Sequence, residues 1–284
     1  MKKRILAVLI TGVLAAGVLT ACGSSTTTKE SAPEKTETKD LEPLTVAASE
    51  TPHSEILEQA KAALAEKGYD LQVTVFDDYI QPDAVVESGE IDANYFQHQP
   101  YLDWYNEEYS AELVTVGKIH YEPFGIYPGI KSSLDELADN DVIAVPNDTT
   151  NEARALFLLE ANGIIKLKED AGLEATIDDI VENPHNIRIE ELEAAQVARV
   201  KDEVAYVVLN GNYALQAGFT VEKDAIAYEE ADSEAAKTYA NIIAVKAGNE
   251  NGEKVKALIE VLESENIRGF ITEKYDGAVI PYKE

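Results

Sequence analysis

Cysteine is almost missing from this chain: Cys22 is the only one in 284 residues. An intrachain disulfide is therefore excluded, and the fold has no covalent staple even in an oxidising compartment. Basic residues are also scarce. Lys and Arg number 24 against 53 Asp and Glu, a formal net charge of −29. Such a surface repels nucleic acid and anionic lipid, so neither is an expected partner. Catalytic signatures are absent as well: there is no Gly-x-Ser-x-Gly elbow, Walker A loop, Gly-x-Gly-x-x-Gly turn or His-Glu-x-x-His helix. The expectation is a protein that is not an enzyme and carries no cofactor. A hydrolase assembled from His98 and scattered Ser and Asp is the remote alternative. Histidines are few, at 4. No two stand at short ligand spacing, so no metal site is expected, although His53, His98 and His120 with the carboxylates are the candidate ligands.

One long apolar run is present, Ile5 to Leu19, interrupted by Thr11, Gly12 and Gly17 and preceded by Met1-Lys2-Lys3-Arg4. This is the layout of a secretory signal, too short and too broken for a membrane span. It ends Leu19-Thr20-Ala21-Cys22-Gly23, which resembles the bacterial lipobox. Residues 1–21 then read as a lipoprotein signal peptide and Cys22 as the acylated new N-terminus, anchoring the chain in the cell membrane on its extracytoplasmic side. Loss of Lys2, Lys3 and Arg4 leaves 21 basic against 53 acidic residues, or −32. Residues 22–43 contain no aromatic and one large aliphatic residue, Leu41, so they cannot offset the entropy of ordering. They read as a flexible tether with a reach of about 25 Å.

The order of elements beyond residue 43 predicts an α/β protein. Leu44 to Ala48 reads as a buried strand. Thr51-Pro52 suggests an N-cap followed by Pro in a first turn, with Ile56, Leu57, Ala60, Ala63 and Leu64 at helical spacing and Gly68 as the stop. Leu71, Val73 and Val75 alternate as a strand, a short helix covers Pro82 to Ser88, and Ile91 to Phe96 is a third strand. This β-α-β-α-β run predicts a parallel sheet, whose ligands sit beyond the carboxyl ends of the strands. Helix 100–109 follows, then strands Leu113 to Val116 and Tyr121 to Tyr127. Half of the 14 Tyr fall between Tyr79 and Tyr127, which fits an aromatic-lined cavity, with Trp104, Tyr105 and Tyr109 assigned to packing.

Near Pro128 the pattern restarts. Val142 to Val145 is a strand, and Thr149-Thr150-Asn151-Glu152 matches a capping box with Thr149 as N-cap. The helix it opens carries Arg154 in its first turns. A guanidinium there can grip a carboxylate through two parallel hydrogen bonds; taken alone, Arg154 reads more readily as a solvent-facing charge. Strands at Ile187 to Leu192 and Val204 to Leu209 follow, the second ending in Asn210-Gly211-Asn212-Tyr213. Asn210 at a strand end suits an amino acid's polar head, and Asn-Gly is also an ordinary turn. A strand over Tyr239 to Val245 and two helices close the chain. The organisation expected is a first lobe over 44–128, an inserted lobe over 129–237, a return to the first over 238–284, and a ligand in the cleft.

The densest polar and aromatic stretch is Asn94-Tyr95-Phe96-Gln97-His98-Gln99-Pro100-Tyr101. It is either the end of a core strand or the wall of a small-molecule pocket, flat rings with a few aimed polar groups. From these residues alone the two readings stand level. Together with His53-Ser54-Glu55-Ile56-Leu57, Tyr121-Glu122-Pro123, Gly125-Ile126-Tyr127, Val145-Pro146-Asn147-Asp148, Thr150-Asn151-Glu152, Arg154-Ala155-Leu156, Asn210 and Asn241, it resembles the NlpA family of methionine-binding lipoproteins. The resemblance runs from the lipobox to the C-terminus. It implies a two-lobed periplasmic-binding-protein type II fold with a two-strand hinge. It also implies a monomer that hands methionine, L-methionine first, to the permease of an ABC importer with its cytoplasmic ATPase. D-Methionine, a methionine peptide, another amino acid or, less readily, a metal ion are the alternative ligands. By the same resemblance Arg154 holds the ligand carboxylate and Asn210 and Asn241 bond its polar head. Tyr79, Phe96, His98 and Tyr101, with Tyr121 as the weaker candidate, enclose the side chain.

Overall fold

The computed structural model describes residues 41–230 and 233–283. The expected signal peptide, Cys22 and nearly all of the expected tether lie outside the described residues. Among the described residues no helix is long and apolar enough to cross a membrane.

Two sheets organise the chain. The first takes β1 (Glu42–Ala48), α1 (Glu55–Glu66), β2 (Tyr69–Val75), α2 (Gln81–Glu87), β3 (Ala93–His98), α3 (Gln99–Tyr109) and β4 (Leu113–Tyr121). The chain then leaves for the second sheet: β5 (Gly125–Pro128), β6 (Val142–Pro146), α4 (Thr149–Ala161), the β7 (Lys166–Leu167) and β8 (Ile180–Glu182) ribbon, and β9 (Arg188–Leu192). It continues through α5 (Ala194–Val197), β10 (Tyr206–Leu209), α6 (Gly211–Gln216), α7 (Val221–Asp224), β11 (Ala227–Tyr228) and α8 (Glu234–Thr238). The return to the first sheet is β12 (Asn241–Lys246), α9 (Glu253–Leu262), α10 (Glu265–Tyr275) and β13 (Ile280–Pro281).

Strand order in the first sheet is β13-β4-β12-β3-β1-β2 and in the second β11-β5-β10-β6-β9. β1 runs parallel to β2 and β3, as the β-α-β-α-β pattern predicts, while β12 pairs antiparallel with β3 and β4. The second sheet repeats this mixture: β6 is parallel to β9 and β10, and β5 is antiparallel to β10. Each sheet is covered on both faces. Leu44, Ile56, Leu64, Leu258 and Ile271 fill one side of the first sheet, and Phe96, Leu102, Tyr105 and Ile242 the other. Ile143, Leu156 and Val208 form one core of the second sheet, Tyr127, Val197 and Leu209 the other. The fold is a two-lobed α/β structure.

Three expectations need correction. The stretch Tyr121 to Tyr127 is not one strand. Tyr121 ends β4, and Glu122-Pro123-Phe124 carries the chain between sheets, so β5 belongs to the second sheet and the crossing precedes residue 128. Pro123 lacks the N–H that a continuous ladder would need. Thr51 is no N-cap either: its hydroxyl donates to the Glu55 carboxylate at 3.0 Å instead of accepting from a backbone N–H, and α1 begins at Glu55. The N-cap of α4 is Asp148, not Thr149, because the Asp148 carboxylate accepts from Asn151 N–H at 3.1 Å.

Candidate ligand-binding site

A pocket lies between the lobes, beyond the carboxyl ends of β3 and β10. Its apolar wall comes from the first lobe. Tyr79, in the bend after β2, packs against Phe96 at 5.7 Å and against Tyr101 edge-on at 5.8 Å. Phe96 and Tyr101 meet at 6.0 Å. The register of β12 against β3 skips at this point, between Ile242 and Ile243, so the end of β3 is irregular where it meets the cavity. Across the cleft Tyr213 packs on Tyr79 with tilted rings at 5.1 Å, and the Tyr79 hydroxyl donates to Asn212 Oδ1 at 2.7 Å.

The polar side is a chain of directed hydrogen bonds. Tyr101 N–H donates to His98 Nδ1 at 3.3 Å, which places the imidazole proton on Nε2. That proton is given to Asn151 Oδ1 at 3.1 Å, a contact between lobes. Asn210 Nδ2 donates to the same oxygen at 2.8 Å, and Asn151 Nδ2 donates onward to Asp148 at 2.7 Å. With its nitrogen committed, Asn210 keeps its Oδ1 as a buried acceptor with no partner among the described residues; Asn212 likewise keeps Nδ2 as an unpartnered donor. Burial, aided by the nearby Arg154, pushes His98 down to about 3, so it acts as a neutral donor.

Arg154 is not solvent-facing. It is 4 % exposed, and Phe124 and Tyr239 flank its guanidinium at 4.7 and 4.2 Å. Its two-pronged edge is already engaged: Nε donates to Glu229 Oε1 at 2.8 Å and Nη2 to Glu229 Oε2, while Nη2 also reaches the Glu122 carbonyl at 3.1 Å. Burial works against the charge, but the Glu229 carboxylate outweighs it and raises the pKa of Arg154. Tyr121 belongs to this support, donating to Glu229 Oε2 at 2.6 Å, and does not line the pocket.

Glu122 does line it, although it is not among the expected site residues. Its carboxylate accepts from His120 Nε2 at 2.7 Å and lies 3.4 Å from His53 Nε2, which also donates to Asn241 Oδ1 at 2.8 Å. The Tyr95 hydroxyl bonds His120 Nδ1, fixing the proton on Nε2. Burial lowers His53 to about 4 and His120 to about 3, and raises Glu122. Two His thus do meet a carboxylate, their ligand atoms all within 4.8 Å of one another, although sequence spacing held them apart. In this arrangement those atoms are spent on hydrogen bonds that orient Asn241, leaving its Nδ2 as the group free to donate.

The structure brings seven of the eight expected binding residues to one pocket: Tyr79, Phe96, His98, Tyr101, Arg154, Asn210 and Asn241. Gln97, Glu122, Asn151 and Asn212 join them. The lobes are closed tightly, leaving about 20 Å3 for the centre of a water molecule, room for about one water rather than an amino acid. Outside it, sharing Tyr79 and Tyr101 as a partition, is a cavity of about 240 Å3 at the cleft's mouth. Chemically the pocket offers rings at one end, donors from Asn212, Asn241 and Arg154, and acceptors from Asn210 and Glu122 at the other.

Comparison with known proteins places this geometry in context. The model of the NlpA lipoprotein family matches residues 44–283. The methionine-binding lipoprotein MetQ of Bacillus subtilis (strain 168) is 41% identical over 100% of both chains. The D-methionine-binding lipoprotein MetQ of Escherichia coli (strain K12) is 39% identical, covering 78% of this chain and 84% of its own. Among solved structures, a lipoprotein of Ruminococcus gnavus is 67% identical with a TM-score of 0.85, covering 85% of this chain and 100% of its own. A nutrient-binding protein of Burkholderia cenocepacia bound to methionine is 40% identical with a TM-score of 0.80, covering 84% and 100%.

Proposed function

The chain belongs to the NlpA lipoprotein family, and on that footing we propose that it is a lipid-anchored, extracytoplasmic binding protein for methionine. It delivers the amino acid to an ABC-type importer and does not transform it. The observation that carries this reading is the pocket's division into two chemistries. Tyr79, Phe96 and Tyr101 present ring faces and edges that suit a polarizable thioether, each contact contributing about 0.3–1.5 kcal/mol. Opposite them stand the amides of Asn210, Asn212 and Asn241, with Arg154 beside them, as an amino acid's polar head requires. Arg154 takes the ligand carboxylate at the part of its guanidinium that Glu229 leaves uncovered. The closed cavity implies that the lobes, or the Tyr79 partition, part to admit ligand.

L-Methionine is the first ligand and D-methionine the second, the latter because relatives covering most of this chain are named for it. Chiral mass spectrometry of the small molecule that co-purifies with the protein separates them. Recovery of L-methionine supports the reading; recovery of D-methionine moves it to the second ligand, and recovery of an amino acid other than methionine contradicts both.

A further inference from the structure

Charge balance in the closed pocket points to a residue with a specific task. One carboxylate, Glu122, and one guanidinium, Arg154, line the pocket, and the Glu229 carboxylate stands behind the guanidinium. Glu229 takes the Nε and Nη2 edge of Arg154, so that pair is neutral as a unit. Glu122 is left. It is 5 % exposed and, among the described residues, is the only acidic side chain lining the pocket. Its side-chain partners are the imidazoles of His120 and His53, which burial keeps uncharged. Arg154 is near enough to favour its charge but is hydrogen-bonded to Glu229, and a buried carboxylate with no cation of its own is costly unless something compensates it.

The surroundings keep that carboxylate in place. Gly211 opens α6 directly against it: a Cβ at this position would lie 2.6 Å from Glu122 Cβ and 2.7 Å from Glu122 Oε2. The backbone N–H of Asn212 favours the charged form of the carboxylate, and Tyr95 fixes the tautomer of His120 from behind. One side of the carboxylate is thus saturated by protein donors, and the residue still borders the cavity.

We propose that Glu122 is the counter-ion of the ligand's α-ammonium, which restricts the pocket to amino acids whose amino group is free. The inference rests on the amino-acid reading of the site and adds a rule to it: N-acylated methionine and the des-amino analogue 4-(methylthio)butanoate are rejected for want of a cation. The acceptor Asn210 Oδ1 takes a second ammonium proton, and the donors Arg154 and Asn241 are left for the carboxylate.

Calorimetric titration of ligand-stripped protein with L-methionine and with 4-(methylthio)butanoate tests this. Wild type is expected to prefer methionine by about a hundredfold or more. Glu122→Gln, which keeps shape and loses charge, is expected to weaken methionine about thirtyfold or more while changing the analogue less than about twofold. Equal weakening of both ligands, or of neither, overturns the proposal. If Glu122→Gln does not fold, the wild-type pair decides: similar affinity for methionine and its des-amino analogue overturns the role of Glu122. If wild type binds neither, the methionine assignment fails instead. The comparison then passes to the co-purifying amino acid and its own des-amino analogue, and equal affinities again refute the role of Glu122.

Discussion

Asp83, on α2, has no exposed surface, and no cation pairs with it among the described residues. Gln97 and Asn94 donate amide hydrogens to its Oδ1 at 2.6 and 2.7 Å, and Oδ2 has no partner. Burial therefore pushes its pKa from 3.8 up to about 7, against the two amides. The folded state holds this proton more tightly than the unfolded chain, so the stability Asp83 contributes is intact below about pH 4 and lost as pH rises through about 7. Asp83→Asn removes that loss but leaves an amide donor where Oδ2 has no partner, for a net gain of about 1–3 kcal/mol near pH 8. Melting curves of both proteins at about pH 4 and pH 8 check the sign: the variant gains at the higher pH only. A gain at both, or at neither, contradicts the assignment. Residues like this are poorly legible in a sequence. Asp83 and Glu122 are two acids among 53, and nothing local marks either as buried. Arg154 was legible only through the resemblance, since the helix around it gives no sign of the aromatic cage formed by Phe124 and Tyr239.

At the scale of elements, periodicity carried most of the reading. The helical spacing of Ile56, Leu57, Ala60 and Leu64 and the alternation of Leu71 and Val73 are imposed by burial on one face, and β1, α1 and β2 stand where those patterns place them. What periodicity could not show was the change of partner. Tyr121 to Tyr127 reads as one aromatic-rich stretch broken only by Glu122 and Pro123, yet β4 and β5 lie in different sheets, a choice made by tertiary pairing with β12 and β10. Just past β5 the chain is pressed against the entry to β10. A Cβ on Gly129 would lie 2.3 Å from the Val204 carbonyl and 2.7 Å from that of Ala205, backbone atoms that cannot swing aside. Gly129→Ala is expected to cost about 2–3 kcal/mol. Gly172→Ala, with nothing within 4 Å, is expected to stay within about 0.5 kcal/mol of wild type. Denaturant midpoints of the two variants test the contrast, and equal midpoints would remove the crowding argument.

The whole molecule is two αβα lobes whose cleft is bridged by few directed contacts. His98 to Asn151, Tyr79 to Asn212, and the Tyr213 hydroxyl to the Asp77 carbonyl at 2.9 Å link the first lobe to the second. Bonds of this kind, each contributing about 0.5–1.5 kcal/mol, hold a closed form that ligand exchange can reopen. A tether of the kind expected over residues 22–43 would let such a domain work near a membrane despite a strongly acidic surface. Cys22→Ser is therefore expected to move the protein from the membrane fraction to the soluble one, and retention in the membrane would identify another anchor. The central claim is capture of methionine by the cleft. It is tested most directly by calorimetric titration of ligand-stripped protein with L-methionine, D-methionine and L-leucine. The account predicts saturable one-to-one binding of methionine, tighter for the L form, and at least about tenfold weaker binding of leucine, which lacks the thioether. No heat with either methionine enantiomer, or leucine bound as tightly, would contradict it.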